Sequence, residues 1–303
     1  NFNFEWARSL LPTLADRGLT LYLAMQPAHI GNTDLASLFN DAQTLGVQVR
    51  AWIVLGYDEG YYPNELNVDL YSQALHDFAD WFVSENLGVE WIVVDMEMDL
   101  QRTDQINNLV AQGKYLEAAM LLLGNLDKTA YEAAWQKYQT LISEMHDQGF
   151  KMMVVTYPMV VDDMSDADSS IQDLFNIPVS GLNWDEISIM VYTTQFTDTT
   201  GLPFGPYAIF DYADSMVEAF GQKASIALGI SGQMDDPTEL AAEVAAAKAA
   251  GIYNIQVYSL EGSMSKPDPN IWHDAFNAEP VVPEPEYTIG LLRFLVNLAD
   301  LIL

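Results

Sequence analysis

The chain has 303 residues, half of them hydrophobic, and 12 Lys and Arg against 43 Asp and Glu, for a formal net charge of −31. That imbalance makes nucleic acid and anionic membrane surfaces poor partners, and it fits a halophilic or secreted protein kept soluble by its charge. With no cysteine, disulfides, thiolate catalysis and cysteine-ligated metals are excluded.

The chain opens on Asn1 rather than Met, as expected where a leader or tag has been removed, and the expected location is extracellular or at a cell surface. Phe2 to Arg17 reads as a helix with Trp6, Leu10, Leu11 and Leu14 on one stripe. Leu19–Gln26 is a strand, Asn32–Leu45 a helix with Asn32 or Thr33 as N-cap and Gly46 as its stop, and Val47–Leu55 a strand. A loop rich in Gly, Pro and Tyr (Gly56–Asn64) leads to a long amphipathic helix over Val68–Glu85. Gly88–Asp99 is a dense apolar run that becomes acidic at its end. Residues 100–149 are the longest connection and carry at least two helices, near Gln105–Leu122 and Lys128–Gln148. Four further strands follow at Phe150–Tyr157, Glu186–Thr194, Lys223–Ile230 and Tyr253–Leu260. They alternate with helices near Ser165–Phe175, Ala208–Phe220, Pro237–Ala250 and Asn270–Asn277.

Strand–helix alternation seven times over, with continuous apolar strands, indicates a parallel sheet covered on both faces. An initial strand shortened to Phe2–Phe4, or lying upstream, brings the count to eight. The expected fold is therefore α/β, a (β/α)8 TIM barrel over residues 1–280 with a helical insertion (100–149) after strand 4. An open doubly wound sheet is the competing architecture, but no Gly-rich phosphate loop follows any strand. Residues 281–287 (Val-Val-Pro-Glu-Pro-Glu-Tyr) form a stiff Pro-rich linker, and 288–303 a C-terminal apolar helix. Its polar residues Arg293, Asn297 and Asp300 fall four and three apart, as on one helix face. That helix docks on the barrel, on a partner chain or on a membrane.

The acidic strand is the centre of the functional reading. A strand's side chains alternate, so Asp95, Glu97 and Asp99 share a face with Trp91 and Val93. Three crowded carboxylates repel, and the cost is offset by a shared proton, a cation or a substrate. In a barrel, chemistry sits at the carboxyl ends of the strands. Those ends supply Gln26, Tyr57, Tyr61, Asp95, Glu97, Asp99, Tyr157, Tyr192, Gln195, Tyr258 and Glu261. Carboxylates, phenols and amides with almost no basic residue suit a neutral polyhydroxylated ligand, a carbohydrate. Arg50, inside an apolar strand, is expected to pair with Glu97 or Asp95 if it points inward. The four histidines are scattered and match no zinc pattern, His29 alone lying near a strand end, and no cofactor is expected.

Gly88–Glu97 (GVEWIVVDME) resembles the fourth-strand DxxDxDxE signature of family 18 glycoside hydrolases. Asp95 and Glu97 match its last two acids, Glu90 replaces the first and Val93 stands at the second. Met190-Val191-Tyr192 resembles the sixth-strand M-x-Y-D motif with Thr193 in place of the acid. Ile226–Gly232 resembles the seventh-strand stretch, and Tyr258 takes about the place of an eighth-strand Trp. The resemblance implies a substrate-assisted retaining hydrolase of β-linked, N-acetylated glycans. Glu97 would be the general acid, Asp95 would orient the substrate's acetamido group, and Tyr192 would bind its carbonyl.

Two other readings stand beside it. Glu97 and Glu261 could form a carboxylate pair without substrate assistance, the separation deciding retention or inversion. A catalytically inactive barrel would instead bind carbohydrate, or a hard cation on Asp95, Glu97 and Asp99, or assemble with other chains.

Overall fold

The computed structural model describes residues 3–164 and 169–300. It contains seven strands, β1 (Leu21–Met25), β2 (Val49–Ile53), β3 (Trp91–Asp95), β4 (Lys151–Thr156), β5 (Glu186–Val191), β6 (Ala224–Gly229) and β7 (Ile255–Tyr258). They follow one another in sheet order, and β1–β2, β2–β3, β5–β6 and β6–β7 pair in parallel. Every strand expected from the apolar runs is present, trimmed by one to a few residues at its ends.

The first helices are α1 (Phe4–Arg17), α2 (Thr33–Leu45), α3 (Val68–Ser84), α4 (Leu100–Ala111), α5 (Tyr115–Leu123) and α6 (Lys128–Asp147). After β4 come α7 (Met159–Asp163), α8 (Ser170–Leu174), α9 (Thr193–Thr200), α10 (Pro206–Phe220) and α11 (Pro237–Ala249). After β7 come α12 (Leu260–Met264), α13 (Pro269–Asp274) and α14 (Tyr287–Asp300). The chain is thus α/β with a parallel sheet. It divides into two compact units, one running through Val154 and including Gln172–Asp185, the other comprising Val155–Ile171 and the chain from Glu186 onward.

In the first unit, Leu21, Leu23, Met25, Val49, Ala51, Ile53, Ile92 and Val94 are buried on one face of β1–β3. The buried stripes of α1 (Leu11, Leu14), α2 (Leu35, Leu38, Phe39) and α3 (Leu75, Phe78, Phe82) complete that core. The chain enters α2 where Asn32 Oδ1 accepts from the amides of Asp34 and Leu35, 2.9 and 3.0 Å away. It leaves at Gly46, in the left-handed conformation at φ +73° that glycine adopts without penalty. The opposite sheet face carries Tyr22, Arg50, Trp52, Trp91, Val93 and Asp95, alternating with the core residues as the strand period requires.

In the second unit, β5 and β6 are buried along their whole length. The helix α14 lies against α7 and α10. Ile289 is buried there, and Arg293 reaches Asp162 at 2.7 Å, Asp211 at 2.6 Å and the Ser215 hydroxyl at 3.0 Å. Near the end of the helix, Ser170 donates to Asp300 at 2.5 Å. Arg293 and Asp300 therefore face the protein, while Leu291, Phe294, Leu295 and Leu298, spaced three, one and three apart, face outward and are exposed. Asn297 is exposed and bonds back to the Arg293 carbonyl. No described helix is long and apolar enough to cross a membrane.

Three expectations need correction. Phe4 opens α1, with Asn3 as its N-cap, so no strand forms at its position; Phe2 lies outside the described residues, as do Ser165 at the start of the helix expected at 165–175 and the last three residues of the C-terminal helix. The acidic run is the third strand of the described sheet and stops at Asp95, leaving Glu97 and Asp99 beyond it. The 100–149 stretch forms three helices, with a break at Gln112–Lys114 that the sequence pattern did not mark. The linker, too, is tied down: Val281 donates to Ala245, and Glu286 accepts from the Gly205 amide at 3.0 Å.

Candidate active site

The carboxyl end of β3 in the first unit brings together two of the three acids. Asp95 is 4% exposed, the last residue of the strand, and Glu97 is half-buried two residues later. Burial pushes the Asp95 carboxyl well above the usual carboxylate range. The negative charge of Glu97 and a hydrogen bond with it push in the same direction, while Trp52 opposes them. One Asp95 oxygen has no hydrogen-bond partner among the described residues, and neither has the buried phenol of Tyr71 on α3. The field of Asp95 and full burial together raise that phenol. Two like acids this close disfavour double ionisation, which adds to the preference of the buried acid for its protonated form.

Trp52 and Tyr71 were both missed in the sequence, where each reads as one more apolar residue of a strand or helix. Trp52 sits on β2 opposite Val93, one alternation below Asp95 on the same face. Arg50 is on that face too but is not the counter-ion of the acids. Its guanidinium lies 4.1 Å from the Trp91 ring centroid and 5.2 Å from that of Tyr22, and its Nη1 contacts Met153 Sδ at 3.1 Å. Trp91 precedes Asp95 by four residues, about 13 Å of strand, so the cation serves the amino end of the sheet through its aromatic neighbours.

Asp99 has another task. Its Oδ1 caps α4 by accepting from Arg102 N at 2.9 Å, and a Cβ built on Gly60 would meet its Oδ2 at 2.7 Å. Gly60 is at φ +98°, its carbonyl accepts from the Leu100 amide, and so it ties the tyrosine loop to the start of α4. Tyr57, half-exposed, extends that link by donating to Asp104 at 2.8 Å. Tyr61 and Tyr62 pack edge to face, 4.8 Å apart. Among the described residues no three His, Asp or Glu gather as a metal-ligand group. His29 Nδ1 accepts from the Gln26 amide at 3.0 Å, and burial lowers its pKa, so it is a neutral brace for the end of β1.

The second unit carries the remaining sequence-derived candidates. At the end of β5, Tyr192 stacks on Tyr258 of β7, with ring centroids 5.9 Å apart and planes inclined by 22°. Between them β6 ends in Gly229, where a Cβ would lie 2.7 Å from the Tyr258 carbonyl and 3.3 Å from the Tyr192 ring. Only glycine lets the Tyr258 carbonyl and the Tyr192 ring come this close to that strand end. Tyr157 is half-buried after β4, Gln195 is exposed on α9, and Glu261 is exposed in the first turn of α12. Thr193, the residue after Tyr192, is buried and donates its hydroxyl to Glu243 of α11.

No family model matches the chain, and no curated protein does. Solved structures do. A D-allulose 3-epimerase from Methylomonas sp. aligns at a TM-score of 0.50 and 13% identity, covering 92% of this chain and 90% of the other. A β-glucosidase, 1317, aligns at 0.51 and 12%, covering 84% and 76%. What these likenesses show is the fold. It is an α/β alternation around a parallel sheet, shared with these two structures.

Proposed function

We propose that the chain is a glycoside hydrolase acting on a β-linked, N-acetylated glycan, built on the (β/α)8 plan expected from its sequence. The observation that carries the reading is the Asp95–Glu97 pair: a buried acid whose proton is favoured, bonded to a half-open acid at the carboxyl end of a strand. A general acid must hold its proton near working pH and release it toward the leaving oxygen. Asp95 holds the proton out of water, and Glu97 stands where it can pass the proton to a glycosidic oxygen. Glu97 is then the acid. On the family 18 resemblance the substrate's acetamido oxygen attacks the anomeric carbon, Asp95 orients that group, and Tyr192 binds its carbonyl. Tyr57, Tyr61, Tyr157, Gln195, Tyr258 and Glu261 are proposed sugar contacts, with Asp99 supporting the tyrosine loop as a helix cap. That the structural neighbours include a β-glucosidase and a sugar epimerase is in keeping with a carbohydrate substrate.

The test is release of a chromogenic aglycone from N-acetylglucosaminides by the wild type and by Glu97→Gln. Removing a general acid lowers turnover by roughly 10²–10⁴-fold. Equal background rates from both proteins, with retained glycan binding, would replace the hydrolase by a carbohydrate-binding protein on the same framework.

A further inference from the structure

One deeply buried acid of the second unit is not at a strand end. Glu243 lies in the middle of α11, 3% exposed, on a helix face otherwise made of Leu240, Val244, Ala246 and Ala247. One of its oxygens accepts from Thr193, and the other has no partner among the described residues. A carboxylate placed so, without a cation, loses more hydration than one hydroxyl returns. Burial accordingly raises the Glu243 pKa to about 8, the Thr193 hydrogen bond opposing and the field of Glu239, one turn earlier, adding to the rise. Of the other ionisable groups on α11 and its neighbours, Lys248 is bound to the carbonyls of Phe276 and Ala278, and Asp211 to Arg293. His273 is buried on α13, while Asp214 and Glu218 of α10 are exposed.

Thr193 is one of the restraints on the chain that carries Tyr192. The next residue, Thr194, accepts from the Ile230 amide at 2.8 Å, and the Tyr192 ring rests over Gly229. Of these, only the bond from Thr193 to Glu243 ends on a group that can gain or lose a charge. We infer that Glu243 is a positioning residue for Tyr192: through Thr193 it fixes the end of β5, and with it the Tyr192–Tyr258 ring pair. The consequence for catalysis rests on the reading of Tyr192 as a sugar contact; the coupling itself does not.

The coupling is read on the full chain with ring-¹³C-labelled tyrosine, the Tyr192 signal being the one lost in Tyr192→Phe. In the wild type that signal should shift with a midpoint near the pH of about 8 at which Glu243 loses its proton. In Glu243→Gln, which keeps an acceptor for Thr193 and cannot ionise, it should stay at its low-pH position throughout. In Thr193→Val, which leaves the acid in place and removes the connection, it should be displaced and insensitive to that step. A wild-type signal that is flat across the range, or the same titration in Glu243→Gln or Thr193→Val, overturns the inference. With an N-acetylglucosaminide, Glu243→Gln should lose an alkaline fall in kcat/KM. If wild type and Glu97→Gln are both at background, the hydrolase reading fails while the tyrosine signal still decides the role of Glu243.

Discussion

Asp95 and Glu97 are joined by a hydrogen bond across the end of β3, one sealed from water and the other half open to it. Their difference in burial, not their separate identities as Asp and Glu, sets which holds the proton. Trp52 is the neighbour that favours the charged form of Asp95. Replacing it by Phe removes that support and should move the alkaline limb of the pH–rate profile, on which the shared proton is lost, to higher pH. Asp95→Asn abolishes the shared proton and should remove the limb altogether, with turnover lowered by roughly 10²-fold or more. A limb left in place in both variants would take Asp95 out of the proposed chemistry.

Glu65 makes stability depend on pH in the first unit. It is buried, accepts from Asn176 at 3.2 Å, and burial lifts its pKa from 4.5 to about 7, with Asp173 and Asp127 adding to the rise. Because the folded-state value is the higher one, its contribution is full below about pH 4.5 and is lost as pH rises through 7. Glu65→Gln should flatten thermal stability across that window and, above neutrality, melt higher than the wild type by a few degrees, on the order of 2–4 °C. Calorimetry at several pH values reads both effects.

Arg293 is the attachment point of α14. Asp162, whose side chain is 1% exposed, has its pKa raised by burial against the pull of Arg293. Arg293→Ala leaves that carboxylate and Asp211 unpaired, a loss of about 3–5 kcal/mol when a buried pair is broken on one side. The expected result is early proteolytic cleavage before α14 and a lower urea midpoint. Arg293→Met with Asp162→Asn and Asp211→Asn removes the charges together and should recover most of the loss.

Gly60→Ala tests the bond between the tyrosine loop and the insertion. The new Cβ would fall 2.7 Å from both Asn67 Nδ2 and Asp99 Oδ2, at a positive φ that alanine resists. The cap of α4 should loosen, costing about 1–2 kcal/mol, and hydrogen exchange should quicken first at Arg102 and Thr103.

The strands were legible because each is a run of apolar residues between turn residues, and the caps of α2 because Asn32 and Gly46 each have one local job. The end of β3 was not. Alternating acids look the same on a strand as on the extended chain that follows it, and the turn at Met98 that makes Asp99 a cap is set by Gly60, some forty residues away. Arg50 was rightly marked as unusual, yet its partner was misjudged, because register places it level with Trp91 and not with the acids further up. Tyr71 and Glu243 are single polar groups within otherwise apolar helix faces. Glu243 interrupts the run Ala241-Ala242-Glu243-Val244-Ala245, a break in pattern that marks the residue but not Thr193, fifty positions earlier, as its partner.

The placement of the few cations shapes how the molecule meets its solvent. Arg50 lies over Trp91, Lys248 and Lys266 hold backbone carbonyls, and Arg293 is spent on Asp162 and Asp211. With only 12 such residues in the chain, each one turned inward leaves the exterior closer to a pure polyanion, dressed in counterions. Dissolved salt contracts that atmosphere to a Debye length of about 3 Å at 1 M, so mutual repulsion among surface carboxylates fades while the inward cations keep their partners. Added salt accordingly lowers the electrostatic tension among the chain's surface carboxylates.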